Sequence, residues 1–138
     1  MPDGIDLILA DHERVNDLFT RFDKTRDGTL VGQIVDALSA HDQAEHGALY
    51  PLAGNLLGDE EMLERYGRAH SLVKKTIDQL MGLEGQPLVA AVAALQAAVS
   101  EHVADEESKL LPALKQAATQ SQLDGLAARI EQIKQRVG

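Results

Sequence analysis

The chain has 138 residues, enough for one domain with a real hydrophobic core. It has no cysteine, which excludes disulfides, thiolate metal sites, iron–sulfur clusters and cysteine nucleophiles. A formal charge of −9 without a basic patch argues against nucleic acid as a partner.

Helix formers dominate, aromatics are 3% and tryptophan is absent, which is the composition of an all-α domain. The start, Met1-Pro2-Asp3-Gly4, lacks the basic region of a signal peptide. No uninterrupted apolar run looks long enough to span a bilayer. The expectation is a cytoplasmic chain with no membrane partner.

The first helix is predicted from about Asp3 to Lys24, with the stripe Ile5, Ile8, His12, Val15, Phe19, Phe22. Thr25 to Thr29 read as a turn. The second helix runs from about Leu30 to Leu57, with Ile34, Leu38, His41, Glu45, Leu49, Leu52 and Leu56 on one face. Pro51 is expected to kink or break it, with Tyr50 packing at the bend. Asp59 suits the N-cap of a third helix, about Glu60 to Met81, whose stripe is Leu63, Tyr66, His70, Val73, Ile77, Leu80. Gly82 to Pro87 read as a loop. The fourth helix covers about Leu88 to Ala118, with Leu88, Val92, Leu95, Val99, His102, Glu106, Leu110 and Leu114 inward and Pro112 repeating Pro51. Ser121 is expected to cap a short final helix, about 121–137, along Leu123, Leu126, Ile130, Ile133 and Val137. Short loops between long helices imply an up-down-up-down four-helix bundle, about residues 3–118, with a short fifth C-terminal helix, all in a single domain of residues 1–138.

The chemistry lies in one repeated phrase, His41-x-x-x-Glu45 and His102-x-x-x-Glu106. Four residues return to nearly the same helix face, so each pair points inward from the middle of an apolar stripe. His12 and His70 hold equivalent positions, and in an antiparallel bundle all four histidines fall within roughly one turn of height. A lone histidine on such a face is usually a hydrogen-bonded core residue. Four imidazoles and two carboxylates in one apolar layer are different, because their burial is costly without a compensating charge. Two glutamates can bridge two metals, with two histidines terminal on each. A nitrogen and oxygen donor set without thiolate suits iron best, with manganese or zinc as alternatives. No Ser-His-Asp arrangement or phosphate loop is present, so no protein side chain is expected to be catalytic by itself. His46, about 140° around from His41, reads as a surface group. Asp11, Asp42 and Asp105 read as solvated, and Arg129, Lys134 and Arg136 as surface charge.

The segments Leu9 to Val15, His41 to Pro51, Ala69 to Val73 and His102 to Pro112 resemble the hemerythrin family, in its bacterial HHE cation-binding branch. The resemblance spans roughly residues 5 to 118. It implies a non-haem centre of two iron ions with carboxylate bridges and an oxo or hydroxo bridge. It also implies dioxygen, a related small diatomic or peroxide as the partner. Oxygen carriers of the family place a second histidine one turn before the third-helix histidine, where this chain has Tyr66. They also bridge with a carboxylate five residues after the last histidine, where it has Glu107. Both join the list as further candidate ligands, Tyr66 with its hydroxyl near the metals. The missing histidine sets simple oxygen carriage aside. What remains is an oxygen-binding, oxygen-sensing or iron-handling protein, an enzyme acting on peroxide or nitric oxide, or a bundle holding zinc or nothing.

Overall fold

The computed structural model describes residues 1–137. Five helices account for nearly all of them, with no strand among the described residues. Helix α1 is Gly4–Thr25. Helix α2 occupies residues 29–57 as Thr29–Ala44, a π-helical turn Glu45–Leu49, and Tyr50–Leu57. Helix α3 is Glu60–Leu80. Helix α4 occupies residues 85–117 as Gly85–Asp105, a second π-helical turn Glu106–Leu110, and Leu111–Ala117. Helix α5 is Gln120–Val137.

Local chemistry explains the boundaries. Asp3 and Asp6 form a reciprocal capping box at the start of α1. Arg26 closes that helix in the left-handed region, φ 55°, and donates its N–H to the Phe22 carbonyl at 2.8 Å. Gly58, φ 66°, ends α2 in the same way. Asp59 accepts from the Met62 N–H at 3.0 Å and caps α3.

Three boundary expectations are corrected. Thr119, not Ser121, caps α5: its hydroxyl accepts from Gln122 N–H while the Gln122 side chain accepts from Thr119 N–H. Helix α4 starts at Gly85, so Pro87 lies in its first turn, where no intrahelical N–H is needed. The prolines do not break α2 or α4. Each follows a π-helical turn in which N–H groups reach five residues back, as from Tyr50 to Glu45 and from Leu111 to Glu106. The proline lacks the N–H that would close an ordinary α-turn there, so the chain stays helical in the wider register.

Helix α1 packs on α2, and α3 on α4, while α5 lies across α1 and the π-turn region of α2. The apolar core is split in two. One cluster, including Phe19, Phe22, Ile34 and Leu95, fills one end of the bundle. The other, including Ile8, Leu49, Tyr66, Leu114 and Ile130, fills the opposite end and receives the apolar face of α5. Between them sits a layer of buried polar side chains: His12, His41, Glu45, His70, His102 and Glu106. Helix α4 is long and apolar enough to cross a membrane by length and composition alone, although Gln96, Ser100 and Glu101 interrupt its apolar run. Its apolar character comes partly from outward alanines such as Ala90, Ala93, Ala94 and Ala97.

Candidate metal centre

Glu45 and Glu106 are fully buried at the start of the two π turns, and all four histidines of the layer are 6–8% exposed. The donors divide into two sets that share both glutamates. His12, His41, Glu45 and Glu106 form one, and Glu45, His70, His102 and Glu106 the other, each with donor atoms within 4.8 Å of one another. In the first set, His12 Nε2 lies 3.2 Å from Glu106 Oε1 and His41 Nε2 lies 3.2 Å from Glu45 Oε1. In the second, His70 Nε2 is 2.9 Å from Glu45 Oε1 and His102 Nε2 is 3.2 Å from Glu106 Oε2.

These spacings fit cations. Neighbouring donors at right angles around an ion with bonds of about 2.1 Å lie about 3.0 Å apart. His12 Nε2, His41 Nε2, Glu45 Oε2 and Glu106 Oε1 are buried without a hydrogen-bond partner. Such groups are costly in an apolar core unless a ligand satisfies them.

The outer ring nitrogens explain how the inner ones are aimed. His41 Nδ1 donates to Asp11 at 2.9 Å, His70 Nδ1 to Asp42 at 2.5 Å, and His12 Nδ1 to Glu107 at 2.7 Å. A carboxylate on Nδ1 fixes the tautomer and turns the Nε2 lone pair inward, the usual support of a metal-ligating histidine. Asp11 and Asp42 are therefore not simply solvated. Lys134 of α5 pairs with the second oxygen of Asp11, so it is more than surface charge. These two contacts outweigh the effect of burial and hold the Asp11 carboxyl below its usual range. Asp105 serves elsewhere, pairing with Arg65 at 3.0 Å and Lys109 at 3.3 Å. His102 Nδ1 alone among the four has no partner.

Two candidates move out of the donor layer. Glu107 is 39% exposed and grips His12 from outside. Tyr66 is buried, but its hydroxyl donates to the Asp105 carbonyl at 3.4 Å, and its ring packs against His102 with centroids 5.2 Å apart. His46 is half exposed, with Nε2 3.3 Å from Asp42.

The phenol in the layer belongs to Tyr50. Its hydroxyl donates to Glu106 Oε2 at 2.8 Å and Glu45 Oε1 at 3.1 Å, and sits 2.9 Å from His70 Nε2 and 3.3 Å from His102 Nε2. In a regular α-helix Tyr50 would lie about 140° around from Glu45; the π turn stacks the two. The only available signal was the echo Leu49-Tyr50-Pro51 and Leu110-Leu111-Pro112. That echo also exposes an asymmetry, because Leu111 stands where Tyr50 has its hydroxyl.

The site's protons follow from its charges. Burial opposes charge on His41, but Glu45, Asp11 and Glu106 outweigh it and lift the imidazole to about 10. His102 rises to about 9 against the same penalty, through Glu106 and Glu45. Burial pushes the Tyr50 hydroxyl far above the usual phenol range, and both carboxylates push further the same way. Without a cation the layer therefore holds protons where metals would sit.

A buried cluster of histidines and shared carboxylates within a helical bundle defines a metal-binding domain. The sequence profile of the hemerythrin HHE cation-binding domain matches residues 3–114, and the chain belongs to that family. It is 29% identical over 138 residues to a protein named DNA nickase from Nostoc sp. (strain PCC 7120). That alignment covers 96% of this chain and 39% of the relative, so this chain spans well under half of the relative's length. No solved structure matches the chain significantly.

Proposed function

We propose that this chain is a non-haem di-iron protein of hemerythrin type that binds or senses dioxygen or a related small oxidant, or handles iron. The observation that carries the reading is the sharing of Glu45 and Glu106 by two donor sets. His12 and His41 would hold one ion; His70 and His102 would hold the other. The all-nitrogen-and-oxygen set suits iron, with zinc or manganese as alternatives. When bound, an iron pair supplies one-electron steps between ferrous and ferric states.

The chain's own residues set the conditions for that chemistry. The two apolar clusters close the layer at both ends of the bundle. Asp11, Asp42 and Glu107 orient three imidazoles. Tyr50 places a hydroxyl between both carboxylates, where it can hold or pass a proton. That proton favours the enzymatic alternative, chemistry on peroxide or nitric oxide, over simple carriage. A cytoplasmic location belongs to the same proposal. Nucleic-acid cleavage rests on the relative's name alone, and the −9 net charge disfavours a phosphate footprint.

The test is elemental analysis and a visible spectrum after anaerobic ferrous loading, followed by air or peroxide. Two iron equivalents and a coloured oxidised form are expected. A firm plateau at one equivalent, or a colourless protein that retains only zinc, would overturn the di-iron reading. Oxygen evolution from peroxide would select the enzymatic alternative, and a plasmid-nicking assay would decide the last.

A further inference from the structure

We propose that a cavity between α2, α3 and α4 binds an organic molecule with a compact hydrocarbon body and a single hydroxyl or hydroperoxide head. The cavity holds about 280 Å³. Its walls are Val35, Leu38, Val73, Ile77, Val99 and Val103, and its inner end is formed by His41, His70 and His102. It therefore abuts the candidate metal layer through three of its four imidazoles.

Size argues against a diatomic as the only occupant. A water-sized molecule takes roughly 30 Å³, and an apolar cavity of roughly 150 Å³ already binds benzene. Nearly twice that room accommodates an aromatic ring with several more heavy atoms. Wall chemistry sets the body as hydrocarbon, because six aliphatic side chains offer it no hydrogen bond. The imidazole end sets the place of the polar head.

The rim carries Asp42, Lys74 and Asp78. Lys74 lies 3.5 Å from Asp42, which also accepts from His70. The mouth therefore adds no unpaired cation, and the aliphatic walls set what the cavity takes. Val73 and Ile77 are only half buried although they sit on the predicted inward stripe of α3, because they face this space and not a neighbouring helix.

The inference deepens the reading of the centre as reactive toward small oxidants, naming an organic hydroperoxide as the class that fits. Binding is tested without turnover, using 2-phenyl-2-propanol, the unreactive alcohol counterpart of an aryl-alkyl hydroperoxide. The full chain, metal-free and zinc-loaded, is titrated and followed by methyl NMR. Shifts are expected at Val73, Ile77 and Val99 and not at Ile5 or Ile130 in the distant apolar cluster. Filling the cavity with Val73→Phe and Ile77→Phe together should weaken binding about tenfold or more. Absence of shifts at the cavity methyls, or equal binding by the filled variant, would each overturn the proposal. If the alcohol binds while iron-loaded protein ignores every peroxide, the pocket stands and the enzymatic alternative falls. If it does not bind while iron-loaded protein consumes hydrogen peroxide, the reverse holds.

Discussion

Tyr50 and Tyr66 look alike in sequence: each is a tyrosine near a histidine of the layer. Their hydroxyls do different things. Tyr50 touches both shared carboxylates and two imidazoles, whereas Tyr66 donates to a backbone carbonyl of α4. Tyr50→Phe is therefore expected to change the visible spectrum of the iron-loaded protein and to weaken metal retention. Tyr66→Phe should leave both unchanged; the opposite pattern in chelator competition would return Tyr66 to the donor set. The carboxylates on the outer ring nitrogens give a second prediction. Asp11→Asn or Asp42→Asn keeps size but weakens the grip on Nδ1, and supports of this kind typically cost 10–100-fold in metal affinity when lost. Asp105→Asn, which touches no imidazole, serves as the control. Equal affinity in all three variants would mean that the imidazoles are held by packing alone.

At the scale of elements, α5 docks through close approaches that only small residues permit. A Cβ on Gly4 would overlap the Cβ and Cγ of Leu126, deep atoms that cannot swing aside. A Cβ on Gly47 would meet Ile133 Cδ1 at 2.7 Å, the free end of a flexible side chain. Gly4→Ala is thus expected to destabilise by roughly 1–3 kcal/mol through overpacking. Gly47→Ala should be near neutral, since the helix gains about 0.5–1 kcal/mol from losing a glycine. Urea titrations decide it, and similar losses in both variants would contradict the distinction. The same π turn that carries Gly47 marks where sequence reading stops. The five helices were legible because Ile5, Ile8, His12, Val15 and their counterparts repeat at helical spacing, and a stripe that includes ligands still reads as a stripe. The two His-x-x-x-Glu phrases were legible because they run through regular α-helix and end where the π turns begin. Tyr50 was not, because the extra residue in the turn rotates everything after Glu45, and the prolines suggested a break. The outer carboxylates were hidden for another reason. Asp11 meets His41, and Glu107 meets His12, across helix pairs whose relative rotation no single helix encodes.

The whole molecule is a bundle whose midsection is polar, so its stability must depend on what fills that layer. In the metal-free protein, protons fill it. His41 and His102 have folded values near 10 and 9, above the ordinary 6.5 of an unfolded chain. Raised values mean that the folded state binds more protons, so stability from these pairs is fully present below about pH 6.5 and is lost as pH rises through 9 to 10. Cations reverse the dependence: each must displace imidazole protons, so metal affinity rises through the same window. Thermal melts of metal-free protein should therefore fall between pH 7 and 10, while metal-saturated protein holds its midpoint there. Saturation at a thousand times the dissociation constant adds about 4.1 kcal/mol per ion, enough to move the midpoint by several degrees in a chain of this size. The proton bookkeeping gives a sharper check than the melts. Titrating metal into the protein at pH 7 in two buffers of different ionisation enthalpy should show net proton release, shrinking as the starting pH approaches 10. Binding without proton release at pH 7 would mean that the imidazoles stay neutral beside Glu45 and Glu106. The polar layer would then be held open for cations by the surrounding bundle, not by protons that keep their places.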